Sequence, residues 1–373
     1  MKILHISNHI QEIGNGIVNV AVDLACLQAK TGHQVAVASM GGEYEILLSN
    51  FGVHHFELDQ TRKLGNLAQL VKRFRAIICE FNPDIIHAHM MTGLILAKML
   101  RGWVDYGLVS TVHNEFQKSA ILMGLADRVI AISNAVAESM HHRGIPYTKL
   151  RIVCNGTLGS PRTLPLENYD PLPLHRPAIT TVAGMYQRKG ISELIEAFEQ
   201  IAPNFPDAHL YLVGNGPDRP LFESQAHETS VVDRIHFEGF QPSPQQYLLS
   251  TDIFVLASRR EPFGLVISEA REAGCAIVAS NIDGIPEALN EGKAGILVPV
   301  SNSQALATAL ADLLIDGYKL NQWKARSLQN IEWLNVTRVN QETLIVYQEL
   351  ISDRKKRVFS FKDSVTTSNL KSK

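Results

Sequence analysis

Residues 251–287 constrain the fold of this 373-residue chain more tightly than any other stretch. Ile253 to Leu256 is a short apolar run, and Ala257 to Phe263 is polar and interrupted by Pro262. Gly264 to Ala273 carries Val266, Ile267, Ala270 and Ala273 at helical intervals, Gly274 stops the pattern, and Ala276 to Ala279 is a second apolar run. The order is strand, loop, helix, strand, which predicts two parallel strands joined by a right-handed crossover. In open parallel sheets the loops at the carboxyl ends of the strands carry the ligands. A binding site is therefore expected around residues 257–264.

The residues of that loop suit an anion flanked by hydroxyls. Pro262 biases Glu261 towards an extended backbone, so a carboxylate projects ahead of the helix. Gly264 allows a ligand close to the first, unpaired N–H groups of the helix, where the helix dipole favours negative charge. Glu269 adds a second carboxylate eight residues beyond Glu261. A nucleotide-sugar would need this combination. A capped helix carrying two solvated glutamates accounts for the same residues.

The segment EPFGLVISEA, Glu261 to Ala270, resembles the two-glutamate signature of retaining GT-B glycosyltransferases of family four. The likeness continues through Gly274, Val278 to Ser280 and Gly284 to Glu287, and further segments extend it over most of residues 1–350. It implies an α/β fold of the GT-B type, two Rossmann-like domains facing across a cleft. The donor would sit mainly on the second domain and the acceptor on the first.

Composition narrows the alternatives. The length predicts about two domains, and 45% hydrophobic with 19% charged residues describes an ordinary soluble protein. A net charge of −2 provides no basic field for nucleic acid. The four cysteines, Cys26, Cys79, Cys154 and Cys275, are isolated, as expected of buried thiols in a reducing compartment. His5, Asn8 and His9 break any signal-peptide core within Met1 to Ile10. No apolar run approaches the roughly 18 residues of a membrane span. A cytoplasmic location is expected. A peripheral contact with the inner face of a membrane stays open, because Lys72, Arg73 and Arg75 lie on the outer side of a helix predicted over Leu64–Phe81 and the chain end is basic. Solvated charges explain those residues equally well.

In the first half, Lys2 to Ser7 reads as a strand, and Gly14-Asn15-Gly16 opens a helix over Ile17–Ala29. The third glycine of the dinucleotide fingerprint is missing, with Asn19 in its place after Val18, which disfavours a nicotinamide dehydrogenase. A plain turn accounts for the two glycines, as does a phosphate cradle. His87 and His89 share one face of a strand, but no third ligand is evident nearby in the sequence and no metal is expected. His113 follows the strand Leu108 to Val112. The family resemblance implies that residues 14–16 hold diphosphate or acceptor. It also implies that His113, in the setting Thr111-Val112-His113-Asn114, contacts the sugar near its reacting carbon.

Pro161, Pro165, Pro171, Pro173 and Pro177 crowd a polar stretch and predict a linker over 159–177. The domains expected are 1–158 and 178–335, with a helix over 336–352 returning to the first and a disordered tail over 353–373. After the strand Ile179 to Ala183 comes Gly184 to Gly190, GMYQRKG. Arg188 and Lys189 there suit a diphosphate, although two solvated cations would look the same. The resemblance assigns them to the leaving phosphates. It departs from the family at Met185, where an arginine usually stands, so Lys189 is the firmer assignment. It also implies donor contacts from Gly184, Gly214, Phe263, Gly264, Leu265 and Glu269.

The function so implied is retaining transfer from a UDP- or GDP-sugar to a saccharide or lipid-linked acceptor, in envelope or exopolysaccharide synthesis. No two aspartates are separated by a single residue, so the metal-binding motif of the other main transferase fold is missing and no metal cofactor is expected. Lys189, Arg188 and helix N-termini would offset the leaving charge. Glu261 would bind sugar hydroxyls, Glu269 the ribose, and His113 the developing oxocarbenium ion, with closure excluding water. A sugar-nucleotide epimerase and a catalytically degenerate sugar-nucleotide-binding subunit are the alternatives.

Overall fold

The computed structural model describes residues 1–61 and 67–370, with side chains as far as residue 356. The chain divides into two compact units: Met1–Cys154 together with the segment from Thr337 onward, and Asn155–Val336.

The first unit holds a seven-stranded sheet of β1 (Lys2–Ile6), β2 (Gln34–Ser39), β3 (His54–Glu57), β4 (Ile85–Ala88), β5 (Gly107–Val112), β6 (Arg128–Ala131) and β7 (Leu150–Ile152). The order is β3-β2-β1-β4-β5-β6-β7, and every pairing is parallel. Parallel sheets are covered on both faces, so their strands are buried without alternation; β4 and β5 are buried at every position, His87, Ser110 and Thr111 included. The helix Gly16–Lys30 covers one side, with Val18, Val22, Ala25 and Cys26 packed on Val35 and Val37.

The second unit repeats the plan with β8 (Ala178–Val182), β9 (His209–Val213), β10 (Ile235–Gly239), β11 (Ile253–Leu256), β12 (Ala276–Ser280) and β13 (Ile296–Val298). Their order is β10-β9-β8-β11-β12-β13, again all parallel. The crossover expected from residues 251–287 is present: Ile253 to Leu256 pair with Ala276 to Ala279, and the helix Leu265–Glu272 joins them. Its Ile267 and Ala270 are fully buried.

Three expectations need correction. The proline-rich stretch 159–177, expected as the linker at the domain boundary, lies within the second unit, which begins at Asn155. Its Leu172 N–H bonds Gln246 O at 3.2 Å, its His175 N–H bonds the Tyr211 hydroxyl at 2.9 Å, and its Arg176 pairs with Asp252, all in the second unit. Residues 353–370 are helical, continuing Val336–Leu370. Asp353 and Arg354 pair with Arg128 and Asp105, giving that helix anchors that composition does not reveal. Cys79 is exposed, unlike the other three thiols. The helix expected from Leu64 is described from Leu67 to Phe81, since 62–66 lie outside the described residues. Among the described residues no helix is long and apolar enough to cross a membrane.

Candidate functional site

Each sheet has one place where strand order reverses: between β1 and β4 in the first unit, and between β8 and β11 in the second. Connections leave such a pair of strands in opposite directions, which opens a crevice at their carboxyl ends. The expected site residues of each unit gather around these two points.

In the second unit, Gly184 to Lys189 follow β8 and Ala257 to Phe263 follow β11. The two loops touch backbone to backbone. Arg259 N–H donates to Arg188 O at 2.8 Å. A Cβ on Gly190 would lie 1.9 Å from Ala257 O, and Gly190 is left-handed (φ 68°), so only glycine fits there. This approach brings Lys189 to Glu261, whose carboxylate pairs with the Lys189 ammonium and accepts from Ser258 Oγ at 3.2 Å. Both side chains of the pair are largely buried, at 15% and 10% exposure. The loop after β12 holds Glu261 from the other side: the Asp283 carboxylate accepts from the Glu261 N–H and from Arg260 Nε, each at 2.9 Å, and Gly284 N–H donates to Glu261 O at 3.1 Å.

Gly264 is the left-handed N-cap of the helix Leu265–Glu272, with Leu265 and Glu269 half-buried on it. The Phe263 ring is fully buried, 6.2 Å from the ring of Trp333. Only its backbone is available to a ligand. Gly214 ends β9 beside Gly184, accepting a Cβ nowhere, because one would meet Ala183 O at 1.9 Å. Arg188 is exposed, its guanidinium 5.5 Å over the Tyr186 ring. Met185 is fully buried in the hydrophobic core of this unit, so the position of the usual family arginine is occupied by packing.

In the first unit, Asn15 caps the helix Gly16–Lys30, its side-chain oxygen accepting from Ile17 N–H at 3.1 Å, while Gly14 takes a left-handed turn (φ 68°). His5 in β1 stands beside His87 in β4. The third histidine that sequence spacing does not show near His87 and His89 thus comes from a strand 82 residues away, by register across the switch point. Ring nitrogens of His5, His87 and His89 lie within 4.8 Å of one another, a grouping able to hold a metal ion. Every one of those nitrogens already has a hydrogen-bond partner. His87 bonds the Tyr347 hydroxyl at 2.6 Å and Thr111 Oγ1 at 2.7 Å. His5 bonds Gln28 Oε1 at 2.8 Å and His89 at 2.9 Å, and His89 bonds His113 at 3.1 Å. The donor set fits a hydrogen-bonded network.

Burial keeps these rings neutral. It pushes the His113 pKa down to about 3 and that of His5 down to about 4, the latter against the opposing Gln28 bond. Burial, then the neighbouring rings, holds His87 and His89 well below the ordinary range. His113 and His89 line a hollow of about 250 Å³ together with Asn8, Thr111, Asn114 and Met123. Asn8 Oδ1 is buried there without a hydrogen-bond partner. Sequence reasoning missed Asn8 and His5 as site residues. Their placement at the end of β1 was the available signal.

Two doubly wound parallel sheets, each with a single switch point, are the architecture of the GT-B class. A family model described as "Glycosyltransferase Family 4" matches residues 14–157, and one described as "Glycosyl transferases group 1" matches residues 170–329. The chain belongs to this family of glycosyltransferases. It is 24% identical over 367 residues to the phosphatidyl-myo-inositol mannosyltransferase of Mycolicibacterium smegmatis, covering 93% of this chain and 94% of the relative. It is 26% identical over 191 residues, about half of each chain, to the lipopolysaccharide core biosynthesis glycosyltransferase LpsE of Rhizobium meliloti. Anabaena HepE, solved with UDP and glucose, has the same fold, with a TM-score of 0.80 and 21% identity over 94% of this chain and 100% of that one.

Proposed function

We propose that the protein transfers a sugar, with retention, from a nucleotide-diphosphate sugar to a saccharide or lipid-linked acceptor, without a metal ion. The observation that carries this reading is the Lys189–Glu261 pair at the switch point of the second sheet, next to the helix start at Gly264. A diphosphate arriving there offers Lys189 a second anion and frees Glu261 for sugar hydroxyls. Arg188 supplies a further cation, and backbone N–H groups after Gly264 receive phosphate oxygen. Glu269 binds the ribose. In the first unit, His113 and Asn8 hold sugar hydroxyls, while the turn Gly14-Asn15-Gly16 receives diphosphate or acceptor. UDP in the HepE complex supports a nucleotide-diphosphate-sugar donor, and the phosphatidylinositol and lipopolysaccharide in the names of the mannosyltransferase and of LpsE support a lipid or saccharide acceptor.

The test is a thermal-shift screen with UDP, GDP and ADP, each with chelator and with manganese. A ligand that binds only the folded form raises Tm. One nucleotide is expected to stabilise the protein equally in chelator and in metal. No shift with any nucleotide, or a shift only with manganese, would overturn the proposal.

A membrane-proximal location is part of the same reading. Trp103 is exposed against the basic helix Leu67–Phe81, with the Arg75 guanidinium 3.2 Å over its ring, and Leu67 at the start of that helix is exposed too. Apolar and cationic groups side by side suit an anionic lipid surface. Co-sedimentation with anionic vesicles, weakening as salt is raised, is the expected result.

A further inference from the structure

The Gln28 amide, with its oxygen assigned towards His5 and its buried Nε2 without a hydrogen-bond partner, stands at one end of a chain of buried rings whose other end is His113. The links run from Gln28 Oε1 to His5 Nε2 at 2.8 Å, from His5 Nδ1 to His89 Nε2 at 2.9 Å, and from His89 Nδ1 to His113 Nε2 at 3.1 Å. Gln28 and His5 have no exposed surface, and His89 is 3% exposed, so water does not interrupt the series. A neutral imidazole has one N–H and one lone pair. Once one ring's direction is set, every following ring must repeat it.

The amide oxygen of Gln28 can only accept. His5 therefore donates from Nε2 and accepts at Nδ1, and His89 donates from Nε2 and accepts at Nδ1. His113 then donates from Nε2 and keeps the lone pair on Nδ1. We infer that Gln28, His5 and His89 are positioning residues that hold His113 in the Nε2–H tautomer, so that its free nitrogen is an acceptor for a substrate hydroxyl. The hollow beside it shows the same polarity, because the buried Asn8 Oδ1 is a second acceptor in need of a donor. Two neutral acceptors side by side suit the hydroxyls of a ligand. The orienting partner of a reactive histidine commonly works by holding one tautomer. Here that task falls to a glutamine three links away.

The inference rests on the proposal that His113 meets substrate, but the tautomer can be read without any substrate. The full chain is labelled with ¹⁵N-histidine, and long-range proton–nitrogen correlation spectra show which ring nitrogen carries hydrogen. His113→Gln identifies the His113 signals by their loss. The expected spectrum has His113 protonated at Nε2 alone, with Gln28→Leu changing this to a mixture of tautomers and lowering kcat by about tenfold, the scale of one lost hydrogen bond. Donor KM stays within about twofold, since Gln28 touches no ligand. A wild-type His113 protonated at Nδ1, a metal-bound spectral signature, or an unchanged tautomer in Gln28→Leu overturns the inference. If Gln28→Leu does not fold, the wild-type spectrum decides by itself. A transferase assay that fails while the spectrum is as expected counts against the proposed function and leaves the relay standing.

Discussion

The ammonium of Lys189 and the carboxylate of Glu261 are bonded to each other, although 72 residues separate them in the chain. They meet because β8 and β11 are neighbours and their loops touch at Gly190 and Ala257. The cation assigned to the leaving diphosphate and the carboxylate assigned to the sugar thus neutralise one another in the free protein. Each group is held ready in the low-exposure site at little cost in unpaired charge.

Removing either member should therefore do two kinds of damage. Lys189→Ala leaves Glu261 largely buried without its cation, an expected destabilisation on the order of 2 kcal/mol. The double variant with Glu261→Ala should recover most of that stability and none of the transfer activity. Urea unfolding and kcat/KM, measured on all three variants as a double-mutant cycle, check this. Additive stability losses would show that the pair is not coupled.

His113→Ala should lower kcat by about 100-fold, the scale of losing one hydrogen-bonding group aimed at a developing charge. Asn8→Ala is expected to raise acceptor or donor KM more than it lowers kcat. Steady-state kinetics with both substrates varied separate these outcomes.

Acid should destabilise the first unit well above the usual carboxylate range. The His5 and His113 pKa values are held at about 4 and about 3, below the ordinary value of 6.5. In the unfolded chain these rings take up protons as the pH falls below about 6.5; in the folded unit they stay neutral until about 4. Across that window the unfolded state binds more protons, so stability declines as pH falls and levels off below the folded values. Thermal melts between pH 7 and pH 5 should show a falling Tm, with a shallower slope in His5→Gln. A flat profile would contradict the buried, neutral assignment.

Gly190 and Gly264 are both left-handed, yet substitution should separate them. At Gly264 (φ 85°) a Cβ would meet side-chain atoms alone, Ile267 Cδ1 and Leu256 Cδ2 at 3.1 Å and Glu261 Cγ at 3.5 Å. Gly264→Ala should cost about 1 kcal/mol from its backbone conformation. Gly190→Ala drives a Cβ into the Ala257 carbonyl and must part the two loops, an expected cost above about 3 kcal/mol. Urea midpoints of the two variants should fall in that order.

Much of the architecture was legible before any coordinates. Ile253 to Leu256 and Ala276 to Ala279 announce buried parallel strands because each is apolar on both faces, and the helix between them follows from residue spacing. The proline-rich stretch misled, because proline reports a missing N–H and a fixed φ but not what the backbone rests on. Arg176 and His175 tie that stretch to Asp252 and Tyr211, partners no local window contains.

What the amino-acid order determined alone was the element series, its repetition in two halves, and the loops that carry Lys189, Glu261 and His113, since periodicity and turn chemistry act over a few residues. Tertiary structure alone decided which of those loops meet. Strand order put β8 beside β11 and His5 beside His87, and burial then stripped the histidines of charge, buried Met185 in the core and joined Gln28 to His113 through two rings. Those are properties of neighbours far apart in the chain, set by sheet register and exclusion of water, and no spacing in the sequence encodes them.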